Sequence, residues 1–451
     1  MTNKIQADMF KRSIIKNLEN WKQSEYRKPL ILRGARQVGK TTIVNEFGKT
    51  YENYLYYNME KSQDKSIFEM DLPLKDLSQF LFSAKGMMKK KGQTLLFIDE
   101  IQNSPKAIAL LRYFYEELPE IHVIAAGSLL ENLVDFKVSF PVGRVDYLPV
   151  RPCSFCEFLG ALGKEHFCEI MKSNPANTLP FHTELMYLFQ QYMLVGGMPE
   201  IVSAYSRSLD LFSIDNYYET LITGYKDDTE KYVKTGKLSE VVRYILSYGW
   251  ASAGEIITLN NFANSDYKSR EVSEAFMLLE KAMLAELAYP ISSPFMPIIP
   301  ETRRKPKLLW LDTGLVNYQA GLRKTIIGAA DVVDIWKGRI AEQVVSQELL
   351  SLSNKIGEKR CFWSKLNGGA EVDFVYVYDS SVFPIEVKNG INSHLRSLQV
   401  FMDNSPVNCG IRVWSGNFSI DDCKTPNGKI YKLINLPFYM ISVLNQVLKS
   451  V

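Results

Sequence analysis

Apolar runs that end in glycine or in polar residues recur in the first third of the chain and predict strands of a buried sheet. The candidate strands are 30–32, 51–59, 95–98 and 121–126. Continuous apolar runs of this length are typical of strands covered on both faces, as in parallel sheets. Between these strands, residues 66–91 and 105–118 have apolar residues at helical spacing and are predicted to form helices. The alternation predicts an α/β fold built on a parallel sheet.

The middle of the chain has helical rather than strand-like periodicity. Residues 180–235 are predicted to be helical, and a further helix is predicted at 271–288 because apolar residues recur there at helical spacing. With the polar turn at 260–268, this region resembles a winged helix-turn-helix, in which Lys268 and Arg270 would contact phosphates. The alternative is a winged helix that contacts protein. The proline-dense stretch 290–306 predicts a wing or an interdomain connector.

The segment after the first predicted strand carries a nucleotide motif. Residues 34–41 read GARQVGKT and fit G-x-x-x-x-G-K-[ST] without a mismatch. Between a strand and a helix, this pattern indicates a phosphate-binding loop, in which backbone N–H groups and the helix amino terminus converge on an anion. The predicted nucleotide-binding residues are Gly34, Ala35, Arg36, Gln37, Val38, Gly39, Lys40, Thr41 and Thr42.

Two acids, Asp99 and Glu100, directly follow the apolar run 95–98. A parallel sheet would bring them to the edge where the phosphate-binding loop also lies. We expect Asp99 to hold Mg²⁺ through water, with the Thr41 hydroxyl as a second ligand, and Glu100 to polarise the attacking water. Lys40 is expected to contact the β- and γ-phosphates.

Two further residues are candidates for the hydrolytic step. Ser128 follows the strand at 121–126, where a polar side chain would sense the γ-phosphate or the water; the alternative is a helix N-cap. Arg144 follows closely, and an arginine there would stabilise transition-state charge in its own or a neighbouring subunit. The alternative for Arg144 is an ordinary surface position.

The composition excludes several classes of protein. Hydrophobic residues make up 46% of the 451 residues, and a net charge of +3 gives no reason to infer nucleic-acid binding. The sequence lacks both an apolar run of about 18 residues and the apolar core of a signal peptide, so we expect no membrane contact and a reducing, cytoplasmic location. Cys153 and Cys156 form a C-x-x-C pair, but without a second pair at zinc-ribbon spacing we expect no metal or redox role.

Several of these segments together resemble one family. GARQVGKTT, LLFIDEIQ and AAGSLL, followed by PVGR and LPVRPCSFCEF, are similar to AAA-type ATPases of bacteria and archaea that carry a C-terminal domain of unknown function 4143. The resemblance continues in GGMPE at 196–200 and KLLWLDTGL at 307–315, motifs without assigned chemistry. It implies ATP and Mg²⁺ as cofactors. The glycine pair and Pro199 predict a tight break between helices.

Acidic residues form a second constellation near the end of the chain. Glu342 lies on a predicted helix, and Asp373 and Glu386 lie on strands that would pair as a hairpin, with Lys388 on the same face as Glu386. Two carboxylates for Mg²⁺ and a lysine that holds or activates water suit phosphodiester hydrolysis. The pattern resembles the PD-(D/E)xK nucleases of the restriction-endonuclease-like fold, in which Glu342 matches the acid of the first helix. The alternatives are a nuclease fold kept only for binding, and Lys388 as a structural ion pair.

We therefore predict an α/β protein of four parts: a P-loop ATPase core (1–160), a helical lid or connector (161–235), a winged-helix-like region (236–322) and a nuclease-like domain (323–451). The favoured function is a Mg²⁺-dependent ATPase that couples ATP hydrolysis to a DNA-directed, nuclease-like domain. The alternative is an ATP-driven switch or chaperone-like regulator whose C-terminal half only binds a protein partner. DNA, a protein and further copies of the chain are the candidate partners.

Overall fold

The computed structural model describes residues 10–127, 143–232, 236–323, 339–366, 368–388 and 395–450. The chain divides into two compact units. The amino-terminal unit comprises residues 11–151 with 354–357, and the carboxy-terminal unit includes residues 152–353 and 358–451. The finer four-part division stays a prediction.

A five-stranded parallel sheet forms the centre of the amino-terminal unit. Its strands are β1 (Leu30–Arg33), β2 (Asn53–Asn58), β3 (Thr94–Asp99), β4 (Ile121–Gly127) and β5 (Asp146–Pro149). They lie in the order β2-β3-β4-β1-β5, and every pairing is parallel. β3 and β4 are buried along their whole length, which explains their continuous apolar sequences. The predicted parallel α/β core is confirmed.

In the described part of this unit, one helix precedes the first strand, and four more lie between strands along the chain. They are α1 (Ile14–Gln23), α2 (Lys40–Gly48), α3 (Ser62–Phe68), α4 (Leu74–Ala84) and α5 (Pro105–Glu117). Ser104 caps α5 by accepting a hydrogen bond from the Ala107 amide, and Pro105 occupies the first turn as predicted. Because β3 and β4 are parallel neighbours, α5 runs from the carboxyl edge of the sheet back to its amino edge.

The carboxy-terminal unit begins with a helical region and ends with a mixed sheet. Its helices are α6 (Phe155–Ala161), α7 (Glu165–Ser173), α8 (His182–Val195), α9 (Pro199–Ser208), α10 (Asp215–Tyr232), α11 (Gly236–Tyr248), α12 (Ser269–Lys281), α13 (Thr313–Gln319), α14 (Arg339–Ser351), α15 (Arg396–Asn404) and α16 (Leu444–Lys449). Its strands are β6 (Ala285–Ala288), β7 (Pro290–Ile291), β8 (Lys307–Trp310), β9 (Cys361–Ser364), β10 (Glu371–Tyr378), β11 (Ser381–Lys388), β12 (Cys409–Trp414), β13 (Ser419–Lys424) and β14 (Ile430–Pro437).

The predicted helix at 271–288 is wrong in its second half. α12 ends at Lys281, and Met283 adopts a positive φ of 57° that a helix cannot contain. The following residues form β6, which pairs antiparallel with β8. Pairing with a strand that lies 19 to 25 residues ahead in sequence therefore overrides the local helical spacing.

The seven-stranded sheet of the carboxy-terminal unit has the order β13-β14-β12-β11-β10-β9-β7. β10 and β11 form the predicted antiparallel hairpin. β11 and β12 are parallel, so α15 serves as the crossover between them. The register of β10 against β9 shifts between Val372 and Val375, so the ladder is irregular at Asp373 and Phe374. Bulges re-aim side chains and often lie next to functional sites.

The two glycine motifs of unknown role form one buried crossing. The carboxylate of Asp312 accepts hydrogen bonds from the amides of Gly197, at 2.5 Å, and of Leu315, at 3.0 Å. The second of these bonds caps α13. A Cβ on Gly314 would overlap the carbonyl oxygen of Val195. The motifs are thus structural: they let α8 end against the start of α13 without a side chain between them.

The disulfide of this unit does not join the two cysteines of the C-x-x-C pattern. Cys156 forms a disulfide with Cys168, linking α6 and α7, whereas Cys153 is buried and takes no part in a disulfide. The two cysteines of the C-x-x-C pattern are therefore not paired with each other, and a disulfide is not expected in the reducing location that the sequence predicts. Of the helices that the structure describes, none has both the length and the apolar character needed to cross a membrane.

Candidate functional sites

The first candidate site is the phosphate-binding loop between β1 and α2. Gly39 has a φ of 92°, which glycine adopts without strain. A Cβ on Gly34 would overlap the carbonyl oxygen of Val150, just beyond β5. Both motif glycines are therefore required by the backbone path itself.

Lys40 lies inside the curl of this loop. It is only 7% exposed, and its Nζ donates to the carbonyl oxygens of Gly34 and Ala35, at 2.9 Å each. Burial lowers the pKa of Lys40 to about 8, although the carboxylates of Glu100 and Asp99 oppose that effect. An anion in the loop would favour the charged form, so the buried ammonium suits a phosphate ligand.

Thr41 and Asp99 lie together at the carboxyl edge of the sheet. The Thr41 hydroxyl donates to Asp99 Oδ2 at 2.8 Å, and the Tyr56 hydroxyl donates to the same oxygen at 3.2 Å. Burial raises the pKa of Asp99, with Glu100 adding to the effect and the Thr41 hydrogen bond opposing it. A hydroxyl and a carboxylate in contact form the oxygen pair expected to hold Mg²⁺.

Glu100 follows Asp99 in an unusual backbone conformation. Its φ of 49° lies in the left-handed region, which is uncommon for residues other than glycine and recurs at functional sites. Its amide donates to Asp99 Oδ1 at 3.1 Å, and its Oε2 accepts from the side-chain amide of Gln102 at 2.5 Å. The structure therefore brings Lys40, Thr41, Asp99 and Glu100 to one edge of the sheet.

The remaining two predicted residues are not added to this group. Ser128 lies outside the described residues, and the strand before it ends at Gly127, the register partner of Arg33. Arg144 is 44% exposed and pairs with Glu116 at 2.8 Å, near the end of α5. Because α5 ends at the amino edge of the sheet, Arg144 lies at the edge opposite the phosphate-binding loop. The position of Arg144 therefore does not support a role at the phosphate-binding loop of its own chain.

The second candidate site is an acidic cluster in the carboxy-terminal unit, made of Glu342, Asp373 and Glu386. The β10–β11 ladder ends at the Phe374–Ile385 pair, and Asp373 and Glu386 are the next residues of the two strands, close enough for the charge of Asp373 to act on Glu386. Asp373 Oδ2 accepts a hydrogen bond from the Val387 amide at 2.7 Å. The predicted approach of these two carboxylates is therefore present.

Two lysines contact this acidic cluster. Lys388 Nζ lies 2.8 Å from Glu386 Oε1, and Lys307 Nζ lies 2.5 Å from Glu342 Oε2. Burial and the neighbouring Asp373 raise the pKa of Glu386 to about 7. Burial also raises the pKa of Glu342 to about 7, although Lys307 opposes that rise. Among the described residues, no three His, Cys, Asp or Glu side chains converge as a metal-binding group.

Three contacting residues escaped the sequence analysis. Tyr56 could have been found, because it alternates with buried positions along β2 and points to the same side as Asn58. Gln102 lies two residues after Glu100, at the end of the LLFIDEIQ motif, but that motif assigns it no role. Lys307 is the first residue of the KLLWLDTGL motif, which has no assigned chemistry, and a lysine before an apolar strand is usually a solvated strand end.

Family models match three parts of the chain. Residues 26–159 match an AAA domain, AAA_14. Residues 186–325 match a domain of unknown function, DUF8612, and residues 337–439 match another, DUF4143. No curated protein matches the chain.

Several solved structures are similar at low identity. The Walker-type ATPase PABY2304 of Pyrococcus abyssi is 16% identical, and the match covers 70% of this chain and 97% of that chain with a TM-score of 0.43. The ORC1 protein of Aeropyrum pernix, solved in complex with DNA, is 12% identical over 68% of this chain and 90% of that chain, with a TM-score of 0.26. The RuvB Holliday junction branch migration motor of Thermotoga maritima is 17% identical over 65% and 93%, with a TM-score of 0.28. These similarities are too distant to support a statement about function.

Proposed function

Since the chain carries an AAA domain of the P-loop ATPase type and, nearer its C-terminus, a domain of unknown function 4143, we propose that it is a cytoplasmic, Mg²⁺-dependent ATPase that couples ATP hydrolysis to action on DNA. The hydrogen bond between Thr41 and Asp99 carries the first half of this proposal. It joins the phosphate-binding loop to the acid at the end of β3, where the two ligands of a nucleotide-bound Mg²⁺ would have to meet.

The residues of the loop fit MgATP. Bound Mg²⁺ would neutralise phosphate charge, held by Thr41 and by Asp99 through water. Lys40 would exchange its two carbonyl acceptors for phosphate oxygens, a stronger, charge-assisted bond. Glu100 would orient the attacking water and accept its proton, after release from Gln102.

The middle of the carboxy-terminal unit supports a role on DNA. α11, α12 and the β6–β8 pair follow one another as in a winged helix, and Ile256 adds an isolated antiparallel bridge to Lys307. Lys268 and Arg270 lie exposed at the start of α12. Basic residues at the amino end of such a helix are placed to contact phosphates.

The acidic cluster supports a nuclease-like ligand set. Asp373 and Glu386 lie side by side, and the buried Oε2 of Glu386 has no hydrogen-bond partner among the described residues. An unpartnered buried carboxylate oxygen requires a proton or a cation, so the pair fits Mg²⁺. We propose Asp373 and Glu386 as its ligands, with Lys388 positioned for a water or a phosphate.

A protein-binding switch is the second candidate function. The segment between β7 and β8 exposes the apolar side chains of Phe295, Met296 and Ile299. Exposed apolar side chains that recur within a few residues are typical of protein contact sites. This observation favours a protein partner for the wing rather than a DNA duplex.

ATP turnover of the full chain, with and without single- and double-stranded DNA, distinguishes the two functions. The proposal expects DNA to stimulate turnover, and a Lys268→Ala/Arg270→Ala variant to lose the stimulation but keep the basal rate. Lys281→Ala, at the other end of α12, is the matched control. Turnover that is indifferent to both forms of DNA would contradict the DNA-directed role and favour the switch.

A further inference from the structure

Lys307 is a buried cation within the acidic cluster. It is 2% exposed, and its Nζ bonds Glu342 Oε2 at 2.5 Å and the carbonyl oxygen of Asp373 at 3.3 Å. The rings of Phe362 and Phe374 lie 5.1 and 5.2 Å from the same nitrogen. Two oxygen acceptors and two aromatic faces thus surround one ammonium group, an arrangement that favours a cation.

The backbone fixes this lysine in place. Lys307 is the first residue of β8, where it pairs with Ala288 and forms the bridge to Ile256. Lys307 lies outside residues 337–439, the segment that matches the domain of unknown function DUF4143, whereas Glu342 and Asp373 lie within that segment. Strand pairing therefore holds the backbone of Lys307 on both sides, so the ammonium can leave the cluster only through a change of side-chain rotamer.

The charges of the cluster explain why a cation is needed there. Three carboxylates, those of Glu342, Asp373 and Glu386, lie close together in a largely buried setting, where like charges destabilise one another. Lys388 neutralises Glu386, and Lys307 neutralises Glu342. The two acceptors of Lys307, a carboxylate oxygen and a backbone carbonyl oxygen, are also the ligands that hard divalent cations prefer.

We propose that the Lys307 ammonium fills a cation position beside Glu342 that a divalent metal ion would otherwise take. Glu342 is then not a metal ligand in this chain, and any metal in the cluster is held by Asp373 and Glu386 alone. The inference concerns the same cluster as the proposed nuclease activity but does not depend on that activity. It also explains why three acids can come together without forming a three-carboxylate metal site.

The test is the number of Mn²⁺ ions bound per chain by the full, nucleotide-free protein, measured from the free-ion signal in electron paramagnetic resonance. Lys307→Met removes the ammonium and keeps an unbranched side chain, so we expect it to bind one ion more than the parent. Lys305→Met, an exposed lysine two residues earlier, is the control and should leave the number unchanged. Lys307→Met/Glu342→Gln should lose the extra ion again.

Equal numbers of bound ions in Lys307→Met and the parent would overturn the proposal. Glu342→Gln tests it independently of whether Lys307→Met folds, because it leaves the lysine in place. The proposal expects the parental number of ions, and a lower number would show that Glu342 is a ligand after all. Asp373→Asn separates the two ideas: if it releases no Mn²⁺ from the parent, the proposed nuclease metal fails, whereas an extra ion in Lys307→Met still supports the role of Lys307.

Discussion

At the scale of single residues, the contacts of Tyr192 assign a protonation state to Glu348. The Tyr192 hydroxyl lies 2.8 Å from the carbonyl oxygen of Cys153 and 2.6 Å from Glu348 Oε1, and it accepts from Gln347. A hydroxyl has one proton, and a carbonyl oxygen only accepts. Both contacts are therefore satisfied when Tyr192 donates to Cys153 and a protonated Glu348 donates to Tyr192. Burial, which raises the pKa of Glu348 to about 8, has the same consequence.

This protonation makes stability depend on pH. The pKa of Glu348 is about 8 in the folded chain and about 4.3 in an unfolded one, so the folded state binds more protons between these values. The stabilising contribution is complete below about pH 4 and is lost as pH rises towards 8, by up to about 1.4 kcal/mol per pH unit. We expect urea unfolding to show that Glu348→Gln gains stability relative to the parent between about pH 5.5 and 7.5. Parallel pH curves for the two proteins would contradict the assignment.

The sequence reveals residues whose motif has known chemistry and misses those whose role depends on a neighbour in space. Thr41 and Asp99 could be paired in advance because a strand order that brings both to one edge leaves few alternatives. Lys307 could not, because its partner Glu342 lies 35 residues away on another element. Only the packing of β8 against the sheet and α14 makes that lysine part of the acidic cluster.

At the scale of elements, the short buried strands were predictable and the ends of the helices less so. The strands at 30–32, 95–98 and 121–126 are present because burial on both faces leaves an unmistakable apolar run. The helix predicted at 271–288 fails after Lys281, since Ala285–Ala288 carries the same residue types but has a strand partner in β8. The local periodicity of a sequence contains no information about a strand partner that lies beyond a long connecting segment.

The crossing between α8 and α13 gives a prediction at this scale. Gly314→Ala would force a Cβ against the carbonyl oxygen of Val195, so we expect it to lower the free energy of unfolding by about 1–3 kcal/mol or more. Gly224→Ala on α10 is the matched control, because open space surrounds that position. The control should change stability by no more than about 1 kcal/mol, in the favourable direction. Chemical denaturation measures the free energy of unfolding of both variants. Equal values for Gly314→Ala and Gly224→Ala would mean that the crossing has room for a side chain.

At the scale of the whole molecule, Arg144 lies at the edge of the sheet opposite the phosphate-binding loop of its own chain. β5 begins at Asp146, which pairs with Leu30 at the start of β1, whereas the phosphate-binding loop follows the other end of β1. We therefore propose that the chain assembles with further copies and that Arg144 acts across the contact, where such arginines contribute about 10³-fold or more to turnover.

Mixing two inactive variants tests this proposal. Arg144→Ala should bind ATP normally and hydrolyse it poorly. Lys40→Ala should lose ATP binding or hydrolysis at its own site. Mixed together, they should recover part of the activity, because the Lys40→Ala copy still supplies Arg144 to its neighbour. Arg112→Ala, which also removes an ion pair with Glu116, is the matched control and should keep the parental rate. Normal turnover by Arg144→Ala, or a mixture without recovery, would contradict a shared site.

ATP hydrolysis at the phosphate-binding loop beside Asp99 is the central claim, and Glu100→Gln tests it most directly. The substitution keeps Lys40, Thr41 and Asp99, so the variant should bind MgATP as tightly as the parent. It removes the carboxylate that accepts the proton of water, so single-turnover hydrolysis should fall by about 10²- to 10⁴-fold. The measurement is the fraction of bound ATP converted to ADP over time at equal occupancy. Hydrolysis at the parental rate by Glu100→Gln would contradict the assigned site.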